Sequence, residues 1–148
     1  MSQQSIASRS YVDLQEHVLA LERSGLLIRV DSPINKDTEL HPLVRWQFRG
    51  GISAAQRKAF LFTNVFDSLQ RKYDMPVLVG ALAANDEVYR VGMGIELSEI
   101  GRHWMRALNN PLEPIEVDEA PCQEIIQKGE ELIGPGKGLD SLPIPVST

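Results

Sequence analysis

Two apolar stretches decide the fold: FLFTNV at residues 60–65 and PVLVGALA at residues 76–83. The first is rich in aromatic residues and nearly alternates between apolar and polar positions, a pattern that predicts a β-strand. The second is continuously apolar, which is typical of a strand buried on both of its faces. Both lie in a chain of 148 residues, which is long enough to bury about two-thirds of its unfolded surface around one core.

Helical patterns lie on either side of these strands. A first helix is predicted from a capping box at Ser10 and Asp13 to a terminal glycine, Gly25, and a short strand follows at residues 26–30. Three more helices are predicted from apolar residues at helical spacing. Their expected N-terminal caps, in chain order, are Asp37 or Thr38, Asn85 and Ser98, and Gly50-Gly51 should end the first of the three. This alternation of helices and strands predicts an α/β or α+β domain.

The composition places the core in the first 110 residues. All the aromatic residues precede residue 105, and aromatic side chains dominate core burial. The apolar stripe of the last helix comprises Ile100, Trp104, Ala107 and Leu108. The side chains that we expect to be largely buried are Phe60, Phe62, Val77, Val79 and Trp104. Residues 1–110 are therefore assigned to one N-terminal α/β domain.

Residues 111–148 differ in composition. They hold two basic residues against eight acidic ones, six of the nine prolines and no aromatic residue. Such a segment cannot repay its ordering entropy alone, so it needs a surface to pack against. We expect short strands at 114–117 and 123–127, a mobile extended stretch from Gly129, and an extended LPIPV segment at 142–146.

Charge, cysteine content and hydropathy exclude several classes of protein. The net charge of −5 and the pI near 5.2 argue against nucleic-acid binding. Cys122 is the only cysteine, so neither an intrachain disulfide nor a zinc knuckle can form, and a reduced, cytoplasmic protein is expected. The apolar runs are far shorter than the ~20 residues of a transmembrane helix, and the polar N-terminus predicts no secretory signal.

Two glycine motifs resemble phosphate-binding loops without matching them. GPGKG at residues 134–138 lacks the helix, and the Ser or Thr, that a P-loop places after its lysine, so a flexible turn is favoured. Gly92-Met93-Gly94 lacks the third glycine of a dinucleotide-binding motif, so a joint between helices is favoured.

The polar side chains form no convincing active site in the sequence. His41, Arg45 and Arg49 share one face of the second helix, with Trp46 beside them, and this pattern suits either an anion site or a solvated basic face. The other candidates are isolated: His17 and His103 on helices, Cys122 near prolines, and Glu96 and Glu99 at a helix start.

The order of the elements is similar to the N-terminal part of the UbiD family of decarboxylases. The resemblance spans about residues 11–148 and rests on the order and spacing of five segments. They are DL to LERSG (13–25), LIRV (27–30), FLFTNV (60–65), PVLVG (76–80) and LPIP (142–145). The last of them resembles the segment that leads into the family's flavin domain. The resemblance therefore implies that residues 111–148 begin a split β-barrel flavin domain.

The resemblance also implies the activity of the complete protein. UbiD-type enzymes carry out reversible, non-oxidative decarboxylation of aromatic or α,β-unsaturated acids. They use prenylated FMN, a divalent metal that is usually manganese, and a monovalent cation. The implied partners are the flavin-binding and C-terminal domains, or a subunit carrying them, and a small aromatic acid. We expect the complete enzyme to be a homo-oligomer.

No catalytic, cofactor-binding or metal-binding residue is assigned in this chain. The family's flavin and metal ligands and its Glu-Arg-Glu acid–base set come after the LPIP segment, so neither prenylated FMN nor manganese is expected to bind these 148 residues alone. Two interpretations remain open. One is an N-terminal fragment or split subunit of a UbiD-type decarboxylase, and the other is a stand-alone, non-catalytic interaction or regulatory domain with the same fold.

Overall fold

A computed structural model describes residues 13–146, so the predicted capping role of Ser10 lies outside the described residues. Within this range the helices are α1 (Leu14–Arg23), α2 (Leu40–Arg49), α3 (Asp86–Met93) and α4 (Ile100–Asn109). The strands are β1 (Leu27–Val30), β2 (Ile34–Asn35), β3 (Ala59–Phe62), β4 (Val65–Phe66), β5 (Lys72–Tyr73) and β6 (Val77–Val79). The predicted α/β class is confirmed. None of these helices combines the length and the hydropathy that a bilayer crossing requires.

The strands form two three-stranded sheets with the same topology. In the first sheet, β3 lies between β1, which is parallel to it, and β6, which is antiparallel. In the second sheet, β4 lies between the parallel β2 and the antiparallel β5. The pairs β1–β2, β3–β4 and β5–β6 are each consecutive in the chain. The second sheet therefore continues the first beyond a break in the strand pairing.

The central strand, β3, is buried on both faces. All four of its residues are at most 8% exposed. Phe60 and Phe62 belong to a core that also contains Leu40 and Val44 of α2. Ala59 belongs to a second core, which contains residues of α1 and α3. The sheet thus separates one helix from two others, and β3 contributes to both layers.

The expectation that residues 76–83 form the strand buried on both faces is wrong. Only Val77–Val79 pair as a strand, at the edge of the first sheet, and Val79 is half-buried. Gly80 ends the strand with a φ of 76°, a left-handed conformation that favours glycine. The central strand comes instead from residues 60–65, where a break at 63–64 divides the apolar stretch into β3 and β4.

Several helix ends agree with the sequence prediction. The start of α1 differs from the predicted capping box, because Asp13 is itself the N-cap, and its carboxylate accepts a hydrogen bond from the Glu16 N–H at 2.9 Å. Gly25 follows this helix in the left-handed conformation, with a φ of 68°. Asn85 caps α3 by accepting from the Val88 N–H at 2.7 Å. Local cap chemistry therefore sets these ends.

The predicted N-terminal caps of α2 and α4 are wrong. Neither Asp37 nor Thr38 caps α2, which begins at Leu40. The Asp37 carboxylate instead accepts from the Ser68 N–H at 2.9 Å, a contact across 31 positions of the chain. Ser98 lies within a 3-10 turn that leads directly into α4. The predicted end of α2 at Gly50 is confirmed.

The predicted burial of Trp104 is wrong. Its side chain is 50% exposed, and Met105 and Leu108 on the same helix are exposed as well. The indole Nε1 donates to the hydroxyl of Tyr89 at 3.5 Å. The apolar stripe of α4 exists as predicted, but it lies at the surface of the described part of the chain.

Residues 111–146 contain no strand, so the short strands expected at 114–117 and 123–127 are wrong. Prolines in this segment remove backbone donors that a paired strand would need. The extended course expected from Gly129 is also wrong at two places, where 3-10 turns form at Gly129–Leu132 and Gly138–Ser141. The LPIPV segment begins extended, as predicted, since Leu142 has φ −95° and ψ 141°.

Phe62→Ala should lower the free energy of unfolding by about 3–5 kcal/mol, because deleting a fully buried ring leaves a cavity between β3 and α2. Trp104→Ala should lower it by less than about 1 kcal/mol, because half of that side chain is already in water. Urea unfolding followed by far-UV circular dichroism measures both. Equal losses in the two variants would contradict this placement of the core.

Candidate functional site

The basic face of α2 forms as predicted. His41 and Arg45 are half-buried and Arg49 is exposed. Trp46 is largely exposed beside them. The neighbouring Phe48 ring lies 5.0 Å from the guanidinium carbon of Arg57, a cation–π contact. The helix thus presents cationic and aromatic groups at the surface, and anion binding there stays a prediction.

The Gly92-Met93-Gly94 motif ends α3 and begins the joint towards α4, as favoured from the sequence. Gly94 caps the helix in the left-handed conformation, with a φ of 65°. At Gly92, α3 approaches α1 so closely that a Cβ would lie 3.3 Å from Cε1 of His17. His17 is buried, and its Nε2 lies 2.7 Å from the carbonyl oxygen of Ala81. These residues pack two helices together rather than form a nucleotide site.

The carboxylates of Glu96 and Glu99 are held in separate ion pairs. Glu96 lies 3.5 Å from Arg90, and Glu99 lies 3.0 Å from Arg102. An open cavity of about 420 Å³ between the end of α3 and α4 is lined by both carboxylates and by His103. All these groups are largely solvated, so the structure gives neither carboxylate a distinct acid or base role.

A polar cluster that sequence reasoning misses lies at the β4–β5 hairpin. The buried Asp67 accepts at Oδ1 from the backbone N–H groups of Leu69 (3.0 Å) and Arg71 (2.8 Å). Its Oδ2 accepts from Arg71 Nε at 3.1 Å and from the Tyr73 hydroxyl at 3.2 Å. The same guanidinium donates to both carboxylate oxygens of Asp140, at 2.5 and 3.1 Å. One arginine therefore joins the hairpin to the C-terminal segment.

Part of this cluster has a local signal in the sequence. Asp67 and Arg71 are four residues apart around a tight turn, in which Gln70 adopts a left-handed φ of 64°. Aspartate at the start of such a turn commonly accepts from backbone N–H groups further along. Asp140, in contrast, lies 69 residues from Arg71, and no local pattern could pair them.

These contacts shift the ionisation of all three charged groups. Hydrogen bonding to Arg71, and then to the Gly136 N–H, lowers the pKa of Asp140. Burial opposes ionisation of Asp67, but hydrogen bonds from the Arg71 N–H, the Tyr73 hydroxyl and the Leu69 N–H outweigh it and lower the pKa of that carboxyl. The hydrogen bond to Asp140 raises the pKa of Arg71. Asp67, Arg71 and Asp140 are thus all charged at neutral pH.

Residues 13–146 hold no cluster of metal ligands, and their apolar groove beside α1 does not suit a flavin phosphate. They contain no group of three His, Cys, Asp or Glu side chains that could hold a metal, and Cys122 is exposed. An apolar groove of about 580 Å³ lies between α1 and the first sheet, lined by residues such as Val18, Leu61 and Leu78. The one charged side chain in its lining is Asp13, whose carboxylate would repel a phosphate.

Comparison with known proteins gives matches in both sequence and fold. The model of the 3-octaprenyl-4-hydroxybenzoate carboxy-lyase N-terminal domain, UbiD_N, matches residues 18–108. A structure of the UbiD-class enzyme HmfF from Pelotomaculum thermopropionicum, in complex with FMN, is similar to this chain with a TM-score of 0.67 and 27% sequence identity. That similarity covers 91% of this chain and 27% of the HmfF chain.

This chain belongs to the UbiD family, in which it corresponds to the N-terminal domain. The matched residues, 18–108, contain all six strands of the two sheets. The resemblance seen in the sequence is therefore confirmed. The chain spans about a quarter of the length of the HmfF protein that it matches (27%).

The low pKa of Asp67 makes stability depend on pH with a definite sign. Because its folded pKa lies below the unfolded value of about 4, ionised Asp67 stabilises the fold above that pH, and the contribution is lost as the pH falls through the folded pKa. Asp67→Asn should therefore lower the urea midpoint at pH 7, and the difference from wild type should narrow below about pH 4.

Urea titrations of wild type and variant at a series of pH values measure this. Asp118→Asn, at an exposed acid outside the cluster, is the control and should change the midpoint little at any pH. If the urea midpoint of Asp67→Asn differed from that of the wild type by the same amount from pH 7 to pH 3, the stabilising role of the Asp67 charge would be contradicted.

Proposed function

We propose that this chain is the N-terminal part of a UbiD-type decarboxylase, either as a fragment or as a split subunit. The complete enzyme carries out reversible, non-oxidative decarboxylation of aromatic or α,β-unsaturated acids in the cytoplasm, as a homo-oligomer with prenylated FMN and manganese. One observation carries the proposal: the family match over residues 18–108, in a chain whose fold corresponds to 27% of HmfF.

In this proposal the chemistry resides outside the 148 residues. Residues 1–110 form the N-terminal domain and residues 111–148 lead into the flavin domain. Decarboxylation leaves a carbanion, and the flavin supplies the electron sink that stabilises it. The described side chains offer no such group and do not fit the cofactors. The isolated chain is therefore inactive, with no catalytic, flavin or metal residue of its own.

The exposed apolar stripe of α4 supports contact with the remaining domains. Trp104, Met105 and Leu108 lie on this helix with half or more of each side chain in water. The next apolar residues along the chain, Leu112 and Ile115, are even more exposed. Monomeric domains rarely expose large apolar patches, whereas an interface covers them. We assign this surface to the contact with the flavin and C-terminal domains.

The second candidate, a stand-alone interaction or regulatory domain, is favoured by two contacts. Asp140 pairs with Arg71 and the Val146 N–H donates to the Lys36 carbonyl, so the C-terminal segment packs on the domain itself. The coding sequence immediately downstream distinguishes the two candidates. A split-barrel region with the Glu-Arg-Glu set supports the decarboxylase, and a terminator without such a neighbour supports the stand-alone domain.

The isolated chain, co-expressed with a flavin prenyltransferase, should retain no flavin and release no CO₂ from aromatic acids. The physical reason is that the residues it offers do not fit the cofactor. Absorbance spectroscopy of the purified chain and a CO₂ assay measure these outcomes. The positive control is the same chain expressed with the downstream split-barrel region, which should retain the flavin. A stoichiometric chromophore on the isolated chain would place the flavin site here and overturn the proposal.

A further inference from the structure

The GPGKG segment at residues 134–138 lies against the β4–β5 hairpin. Its Gly136 N–H donates to Oδ2 of Asp140 at 2.6 Å. The same carboxylate accepts from the two terminal nitrogens of Arg71, at 2.5 and 3.1 Å. Asp140 is therefore held by the glycine turn on one side and by a bidentate guanidinium on the other.

The turn needs its glycines for backbone shape. Gly134, Gly136 and Gly138 have φ values of 117°, 73° and 53°, which side-chain-bearing residues rarely adopt. At Gly138 a Cβ would lie 2.8 Å from the carbonyl oxygen of Leu132, too close for any other residue without a shift of the backbone. This shape is what brings the Gly136 N–H to Asp140. The motif is thus explained by a tight turn rather than by a phosphate.

Contacts within the hairpin hold Arg71 independently of its pairing with Asp140. Asp67 binds its Nε, and the Tyr73 hydroxyl accepts from one terminal nitrogen. The guanidinium carbon also lies 4.9 Å from the centre of the Tyr73 ring. A planar fork fixed in this way loses little further freedom when it pairs with a carboxylate. The hairpin therefore presents a preorganised site for Asp140.

The segment after Asp140 is also anchored. Leu142 is half-buried and Pro143 is buried. The Val146 N–H then donates to the carbonyl oxygen of Lys36, next to β2, at 3.2 Å. Contacts thus hold residues 136–146 along the second sheet, and the last of them fixes the position of Val146.

We propose that Arg71 and Asp140 form a clasp that fixes residues 134–146 on the N-terminal domain and so sets the point from which the flavin domain begins. Arg71 is a positioning residue in this role. The inference rests on the proposed function, in which the chain enters the flavin domain after the LPIPV segment.

The clasp is tested in the full 148-residue chain with Asp140→Ala, which removes the acceptor for both Arg71 and Gly136. Amide hydrogen exchange at Gly136 and Val146, and tryptic cleavage after Lys137, should each become about tenfold faster, as expected when a charge-assisted bidentate pair no longer opposes local opening. Asp140→Asn keeps the shape of the side chain without its charge. Its rates of exchange and cleavage should lie between those of the wild type and those of Asp140→Ala. The urea midpoint should fall less than it does in Asp67→Asn, because Asp67 still holds Arg71 on the hairpin.

Two further variants make the result specific. Glu130→Ala, at an exposed acid shortly before this segment, is the matched control and should leave exchange and cleavage at the wild-type rates. Gly138→Ala removes no charge but strains the turn. It should therefore accelerate exchange and cleavage in the segment as Asp140→Ala does.

Wild-type rates of exchange and cleavage in Asp140→Ala would overturn the clasp. Loss of protection throughout the core would overturn it too, since the pair would then support general stability rather than position one segment. Failure of the clasp is distinct from failure of the proposed function, which is decided by the downstream coding sequence and by flavin retention.

Discussion

Burial of β3 on both faces is the constraint on which the rest of the structure depends. Its two phenylalanines fill the layer against α2, while Ala59 faces the layer of α1 and α3. The second layer is built largely from small residues, including Ala81 and Ala84, which let the helices approach the sheet closely. Helices α1, α2 and α3 thereby cover both faces of the first sheet. Helix α4 contributes to neither of these two buried cores of the described domain, and its apolar stripe stays in water.

Tyr73 connects this core to the polar cluster. Its ring belongs to the same buried group as Phe62, while its hydroxyl donates to Asp67 and accepts from Arg71. A ring fixed by packing fixes its hydroxyl as well, so the core determines where the guanidinium lies. Under the proposed function, the domain contributes position rather than chemistry. Its core orients Arg71, and Arg71 orients the segment that leads out of the domain.

The sequence by itself determined the features that depend on neighbouring residues. Apolar periodicity predicted four helices and the two main strands, and cap chemistry predicted the ends of α3 at Asn85 and of α2 at Gly50. Burial of Phe60 and Phe62 followed from an apolar strand pattern, and the family followed from the order of the segments. The turn from Asp67 to Arg71 could also have been predicted from neighbouring residues in the sequence. These signals survive folding because each involves residues only a few positions apart.

Only the tertiary structure decided how those elements are used. An apolar stripe is buried only if another element offers it a face, and this condition separates Phe62 from Trp104. Asp37 could cap a helix locally, but the folded chain brings it to a backbone N–H 31 residues away. The partner of Arg71 lies 69 residues along the chain, so its pairing with Asp140 exists only once the second sheet has formed. Contacts between remote residues depend on the whole packing arrangement, which no local pattern encodes.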